Sequence, residues 1–342
     1  MRRHSYFTIS ALRAVALAAV VALSALLPLM PAAAQAAKLP VVVSIVPLQY
    51  FVERIGGEFV DVSVMVQPGA SPATYEPKPR QMAALSGAQL YFAIGVPFEE
   101  AWMPRIQAAN PAMKVVNVDK GIHKLPMAEH HHEGEAGHQP AGHDEAKHED
   151  AHKHEAPSHE ASGHEAPDHD MHDGHDHGGL DPHVWLSPML MKHMADTVRK
   201  ELCRADAEHA PIFRTNYAAL EKEIDALDRE LMDVFDAIPQ EKRVFMVFHP
   251  SWGYFAMNYS LKQVPIEYEG KEPTPRILKE LMEEAAELNI RTIFVQPQFA
   301  RKSAEAIASH IKGTVVVADP LAYDWFANLR EVAKNLAASF CK

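Results

Sequence analysis

The chain has 342 residues, too many for one small domain and about right for two domains of ordinary size. Apolar residues make up 47% of it, which is enough to build two hydrophobic cores. The formal net charge of −12 is confined to the stretch from Glu129 to His177, where 14 acidic residues face only two lysines, so the remainder is neutral. The sequence therefore offers no basic face for nucleic acid, and we exclude that class of partner.

The first 36 residues have the pattern of a cleavable export signal. Arg2 and Arg3 precede the apolar run AVALAAVVALSALLPLM, and the small-residue stretch PAAAQAA predicts cleavage near Ala34 or Ala36. A transmembrane anchor is the alternative, but the apolar run is short, rich in alanine and followed by prolines. We expect an exported mature protein. Its two cysteines, Cys203 and Cys341, can form a disulfide in an oxidising compartment, and the sequence leaves both states open.

Short β-branched runs alternate with helix-like patterns in both halves of the mature chain. This alternation predicts an α/β fold of two lobes, each with a parallel sheet flanked by helices. The strand-like runs are VVVSIV, VDVSVMV, LYFAIG and KVVNV in the first half, and FMVFH, QVPIE, TIFVQ and TVVVAD in the second.

A long helix is predicted between the two lobes. Apolar residues recur at steps of three and four from Tyr217 to Ile238, and neither Gly nor Pro interrupts residues 212–238. One helix of about 27 residues would be roughly 40 Å long; a pair of shorter helices is the alternative. The predicted organisation is a signal peptide (1–36), an N-terminal lobe (37–206), a linker helix (207–239) and a C-terminal lobe (240–342).

Residues 129–179 differ in composition from the rest of the chain. They hold 14 histidines and almost no apolar residue, so they cannot bury a core, and we expect a disordered insertion in the first lobe. Imidazoles and carboxylates at this density bind borderline-soft divalent metals, many of them weakly. The loop histidines chosen as low-affinity ligands are His130, His131, His132, His172, His175 and His177.

Four positions combine a metal-ligating side chain with a predicted strand end or turn, where ligands collect in parallel α/β folds. His183 lies in DPHVWLSP, just before a helix start at Ser187-Pro188, and His249 closes the strand FMVF. Asp319 follows the strand TVVVA, and Glu76 lies in the turn-rich segment QPGASPATYEP. On local grounds alone, the two histidines could equally be structural, and Asp319 could belong to an ordinary Asp-Pro turn.

These segments together resemble the zinc- and manganese-binding solute-binding proteins of bacterial ABC transporters, the zinc-uptake type in particular. The similarity runs in order through PLQYFVERIGGEFVDVSVMVQPGASP, GVPFEEAWMPRI, the histidine-rich insertion, DPHVWLSP, FHPSWGYFA, QPQF and ADPLA. The resemblance implies two α/β lobes joined by one long rigid helix, with the metal between them. It also implies that His183, His249 and Asp319 are ligands, and the histidine at position 249 favours zinc over manganese.

One position departs from the family pattern. The family usually has a histidine where this chain has Ala73, and a methyl group cannot ligate a metal. The remaining three ligands are one short of the four expected of a closed zinc site. Water, Glu76 or a loop histidine could fill the fourth position.

The resemblance implies a monomeric periplasmic protein that captures zinc, with manganese as the alternative metal, and delivers it to an inner-membrane ABC permease. We expect it not to be an enzyme, although three protein ligands plus water is also the pattern of a catalytic zinc, so a zinc hydrolase is one alternative. A periplasmic zinc buffer or chaperone that acts mainly through the histidine-rich loop is another, and an iron-chelate or haem carrier is a third.

Overall fold

The computed structural model describes residues 37–128, 179–267 and 271–341. The predicted signal peptide and all but the last residue of the predicted insertion lie outside these ranges, and with them the six loop histidines. None of the helices in the described ranges has the length and apolar composition that a membrane span requires.

The first sheet contains four parallel strands in the order β2-β1-β3-β4. Each strand falls on one of the β-branched runs predicted in the first half of the chain. Every residue of β3 is buried, which is typical of a central strand in a parallel sheet. The strands are β1 Leu39–Val43, β2 Val60–Val64, β3 Leu90–Ala93 and β4 Lys114–Asn117.

The second sheet repeats this arrangement, with four parallel strands in the order β6-β5-β7-β8. The strand β7 is buried throughout and takes the place that β3 has in the first sheet. The four strands again fall on the predicted runs, so the predicted fold class is confirmed. They are β5 Val244–Val247, β6 Lys262–Pro265, β7 Thr292–Val295 and β8 Thr314–Val317.

Helices connect and cover the strands. Several have a proline in the first turn, where the missing N–H would have had no partner within the helix. Ser187 accepts a hydrogen bond from the backbone N–H of Leu190 (3.4 Å), which confirms the helix start predicted there. The helices are α1 Val46–Gly56, α2 Pro79–Ala84, α3 Pro97–Ala109, α4 Pro188–Ala205, α5 Ala210–Asp236, α6 Gly253–Asn258, α7 Pro275–Glu287, α8 Lys302–His310 and α9 Trp325–Phe340.

The helix α5 is the predicted long helix, unbroken over 27 residues. Its buried stripe contains Leu220, Ile224, Leu227 and Leu231. Along this stripe α5 packs against α1 and α4 of the first half and α9 of the second half. The prediction of one continuous helix joining the two halves is therefore confirmed, and the alternative of two shorter helices is wrong.

One hydrophobic core passes through both halves of the protein. It includes the first sheet and its helices, the stripe of α5, much of α9, and Phe245, Val247 and Phe294 of the second sheet. A smaller core lies between the second sheet and helices α7 and α8. The described residues from Leu39 onward accordingly form one contact unit, so the predicted lobe boundaries at 206/207 and 239/240 stay predictions.

The two cysteines lie too far apart to form a disulfide with each other. The Cys203 sulfur lies 3.6 Å from the carbonyl oxygen of Ala210, where α5 begins. Cys341 follows Phe340, whose ring packs near that of Phe235 at the other end of α5 (6.5 Å between centroids). Twenty-five helical residues span about 38 Å, whereas a disulfide needs Cα atoms within about 7 Å. Both thiols are free.

Candidate metal centre

Loops at the carboxyl ends of strands from both sheets surround one small cavity of about 60 Å³. Ligands collect at this end of the strands in parallel α/β folds. The first half of the chain contributes residues 71–73 and 96–97, together with Met127, Pro182, His183 and Trp185. The second half contributes His249, Gln298, Phe299, Pro320 and Leu321.

Two predicted ligands from different halves of the chain meet in this cavity. The Nε2 atoms of His183 and His249 lie 3.3 Å apart. His183 is 7% exposed and follows Asp181 and Pro182, whereas His249 comes directly after β5 and Phe248. The structure therefore brings together residues that are 66 positions apart in the sequence.

Each imidazole is fixed by a carboxylate on its other nitrogen. The Nδ1 atom of His183 lies 2.7 Å from Asp181 Oδ1, and that of His249 lies 2.6 Å from Glu267 Oε1. Because a carboxylate only accepts hydrogen bonds, both Nδ1 atoms carry the proton. In the neutral rings, both Nε2 lone pairs then point into the space between the two side chains. Metal-binding histidines are oriented by carboxylates in this way.

The separation of the two Nε2 atoms suits a bound cation. Two zinc–nitrogen bonds of about 2.05 Å at a tetrahedral angle place the nitrogens about 3.3 Å apart. A hydrogen bond between the rings has a similar length, but it needs an extra proton on one Nε2 atom. A cation satisfies both lone pairs while each imidazole stays neutral, so the donor set fits a divalent metal.

The His183 segment is held against the second half of the protein. The hydroxyl of Tyr254 donates to the carbonyl of Asp181 (3.0 Å) and accepts from the backbone N–H of Leu125 (2.9 Å). The Asp181 carboxylate approaches α6 so closely that a Cβ atom at Gly253 would lie 2.7 Å from Asp181 Oδ2. Any side chain at position 253 would therefore displace the Asp181 carboxylate that orients His183. The Trp185 indole also donates to the carbonyl of Pro320 (2.7 Å).

The backbone of His249 is fixed by Gln296 at the end of β7. Gln296 Oε1 accepts from the His249 N–H (3.1 Å), and its Nε2 donates to the His249 carbonyl. The Phe299 ring stacks on the imidazole, with 4.9 Å between ring centroids. These contacts set the direction of the His249 ring before any metal binds.

Asp319 lies one hydrogen bond away from the cavity. Its Oδ1 accepts from Gln298 Nε2 (2.9 Å) and from the backbone N–H of Leu321 (3.0 Å), and both of these residues line the cavity. Within the described part of the chain, no three His, Cys, Asp or Glu side chains lie close enough together to hold a metal ion. A site that uses both imidazoles and Asp319 therefore requires the Asp319 carboxylate to move closer to the two rings.

The two positions discussed for the fourth ligand differ in location. Ala73 lines the cavity, so the family's usual histidine position does face the site, but it offers only a methyl group. Glu76 is exposed and is not among the cavity-lining residues.

Three residues of this centre were not identified as its parts from the sequence. Asp181 orients His183, and its place two residues earlier in DPH was an available signal. Glu267 was not predicted to orient a ligand, whereas the structure shows it bonded to His249. Gln298, in QPQF, joins Asp319 to the cavity, and no local pattern indicates that contact.

Burial sets the protonation behaviour of His183. Loss of hydration is the largest effect and lowers the pKa of this imidazole below its ordinary value of 6.5, and the hydrogen bond to Asp181 opposes this only in part. The neutral ring, which is the form that ligates a metal, is therefore favoured.

The lowered pKa of His183 predicts a pH-dependent contribution to stability. Just below the ordinary imidazole pKa, His183 is protonated in the unfolded chain but stays neutral in the folded protein. The stability due to neutral His183 is complete above about pH 6.5 and is lost as the pH falls through that value toward the lower folded pKa. Urea unfolding of the metal-free protein measures this effect. Between about pH 7.5 and about pH 5.5, the free energy of unfolding should fall more for the wild type than for His183→Gln. Equal losses in the two proteins would contradict this assignment.

The comparisons with known proteins identify the family. The model of the family described as "Zinc-uptake complex component A periplasmic" matches residues 41–339. The chain belongs to this family. A solved structure titled "Crystal structure of ZnuA" is similar over 89% of this chain and 99% of that one, with 39% sequence identity and a TM-score of 0.72.

Two relatives indicate the range of metals within the group. The High-affinity zinc uptake system protein ZnuA of Bacillus subtilis is 27% identical over 83% of this chain and 79% of its own length. The Manganese-binding lipoprotein MntA of Halalkalibacterium halodurans is 25% identical over 75% of this chain and 71% of its own length. The resemblance seen in the sequence is confirmed. The prediction that the chain is not an enzyme is also confirmed, because the family is described as a component of a zinc-uptake complex, and the two relatives as a zinc uptake system protein and a manganese-binding lipoprotein.

Proposed function

We propose that this protein captures zinc in the periplasm and delivers it to an inner-membrane ABC permease. The observation that carries the proposal is the pair of imidazoles whose Nε2 atoms lie 3.3 Å apart while both Nδ1 atoms are bound by carboxylates. This is a preformed half of a tetrahedral metal site. The family description and the zinc-uptake relative support the transport role.

The ligands favour zinc over manganese. Two neutral imidazoles suit zinc, whereas manganese prefers a set richer in oxygen. We propose His183, His249 and Asp319 as the protein ligands. Asp319 Oδ1 already accepts two hydrogen bonds, so Oδ2 is the oxygen offered to the cation. The fourth ligand is water or a loop histidine, since Glu76 is exposed and is not among the cavity-lining residues.

The flanks of the histidine-rich insertion lie at the rim of the cavity. Pro126 and Leu180 form an isolated antiparallel bridge, and the Met127 N–H donates to the carbonyl of Gly179 (2.9 Å). Met127 itself lines the cavity. We propose that the loop histidines collect zinc at low affinity and pass it inward, because both described ends of the insertion are within a few residues of the site.

The remaining parts of the proposal concern location and assembly. A signal peptide at residues 1–36, cleaved near Ala34 or Ala36, is supported by the sequence pattern and by the periplasmic family description. We propose that the mature protein acts as a monomer, since the two imidazoles and Asp319 come from a single chain.

Native mass spectrometry of the mature protein tests the proposal. Removing residues 129–178 keeps Gly179, whose carbonyl accepts from Met127, so the rim should remain intact. We expect the shortened protein to keep one tight zinc equivalent and to lose the weakly held ones. Parallel loading with manganese should give weaker retention.

The same experiment separates capture from buffering. A zinc buffer that works through the insertion would lose nearly all of its bound metal when residues 129–178 are removed. Retention of manganese in preference to zinc would contradict the proposed metal. The full-length mature protein, measured beside the shortened one, gives the reference count of sites.

A further inference from the structure

Gln298 has an unused hydrogen-bond acceptor beside the metal centre. Its side chain lines the cavity together with both imidazoles. The Nε2 atom donates to Asp319 Oδ1 (2.9 Å), but the Oε1 atom is buried and has no hydrogen-bond partner among the described residues. Leaving such an oxygen unpaired costs about 1–3 kcal/mol, and buried polar groups in native proteins nearly always have a partner.

The orientation of this amide is fixed by its neighbour. Exchanging its oxygen and nitrogen would place Oε1 against the Asp319 carboxylate, where two acceptors would repel each other. Asp319 Oδ1 also receives the Leu321 N–H, so it stays in place as an acceptor. The Gln298 oxygen is therefore the end of the amide that is turned away from Asp319.

The proposed ligand set lacks one member. Two imidazoles and Asp319 fill three of four tetrahedral positions, and Ala73 offers only a methyl group at the cavity wall. The cavity of about 60 Å³ has room for a cation and one water, since about 10–15 Å³ of such volume is enough to hold a water molecule. A water bound to zinc is a strong hydrogen-bond donor because the cation polarises it.

We propose that Gln298 positions a metal-bound water as the fourth ligand, accepting its hydrogen bond at Oε1 while Nε2 holds Asp319. This inference rests on the proposed zinc site and adds to it a positioning residue that replaces the missing histidine. An amide suits the task because one end donates to a carboxylate and the other end accepts from water. It also adds no charge to a site that already has Asp181, Glu267 and Asp319 around it.

The test replaces Gln298 by methionine, which has a similar length but neither donates nor accepts strongly. Gln298→Met is expected to weaken zinc binding about 10- to 100-fold, the usual effect of losing a partner that orients metal ligands. The matched control is Gln107→Met, at an exposed position on α3, which should leave the zinc Kd unchanged. Competition with a chromophoric chelator measures the Kd, and thermal unfolding of the metal-free proteins checks that both variants fold.

A crystal structure of the zinc-loaded wild type gives a second readout that needs no variant. It should show a water on the zinc within about 3.2 Å of Gln298 Oε1. A protein side chain in the fourth position, an Oε1 atom without contact to the bound water, or an unchanged Kd in Gln298→Met would overturn this inference. A wild-type protein without any tight zinc would instead overturn the proposed function, so the two failures can be distinguished.

Discussion

Replacing both central histidines, His183→Ala together with His249→Ala, is expected to abolish tight zinc binding. These side chains supply the two lone pairs that converge in the cavity, and no other imidazole of the described residues lines it. Four-ligand zinc sites in small folded domains have apparent binding free energies of about 10–16 kcal/mol. Losing two ligands should cost at least about 4 kcal/mol, or about a thousandfold in Kd.

The matched control for this variant removes two exposed histidines from helices. His193→Ala with His310→Ala, on α4 and α8, makes the same chemical change away from the cavity and should leave the tight site intact. Isothermal titration with competing chelator measures both proteins. Loop binding should persist in both, so only the tight equivalent is informative. If the His183/His249 variant kept that equivalent, the ligand assignment would be wrong.

Replacing Trp325 by alanine is expected to cost about 3–5 kcal/mol of unfolding free energy. The indole is buried at the start of α9 and packs edge-on against Phe51 of α1, with 5.2 Å between centroids. Its N–H donates to the carbonyl of Trp185 (2.8 Å), two residues after His183. The variant therefore leaves a large cavity between the two halves and an unpaired carbonyl next to the metal centre.

Chemical denaturation of the metal-free protein measures this loss. Trp102→Ala is the control, because Trp102 is only half-buried on α3, with Arg105 over its ring, and its removal should cost a fraction as much. Trp325→Ala should also weaken zinc binding, although the indole is not among the residues that line the cavity. Similar losses of stability in the two variants would show that the packing of Trp325 between the halves does not stabilise the fold as expected.

The strands and the long helix could be predicted because their signals are local. Runs of β-branched residues marked all eight strands of the described sheets. Apolar residues that recur every three or four positions marked the buried stripe of α5. The stretch without Gly or Pro began at Ile212, whereas α5 begins at Ala210, inside the predicted linker of 207–239. Ahead of Pro211, the Asp206 side chain accepts from the N–H of His209 (3.1 Å), the residue that precedes the helix.

The candidate site was predictable only in part, because its contacts depend on strand order and loop direction. His183 and His249 were chosen for their places at a turn and a strand end, and the structure places them together. The partner of His249, Glu267, follows β6, and only the pairing of β6 with β5 brings it near. Similarly, Gln298 reaches Asp319 because β7 and β8 are neighbours in the sheet. A sequence does not state which strands pair.

The unbroken core and the helix α5 restrict how a loaded protein would release its metal. A wide swing of one half away from the other would expose the buried rings at this junction, and a large apolar interface resists such motion. Unloading would then begin in the strand-end loops, with Asp319 and its partner Gln298 withdrawing together from the metal while the imidazoles stay fixed. A receptor that docks over the rim could drive that retreat only by binding the retracted loop more tightly than the engaged one.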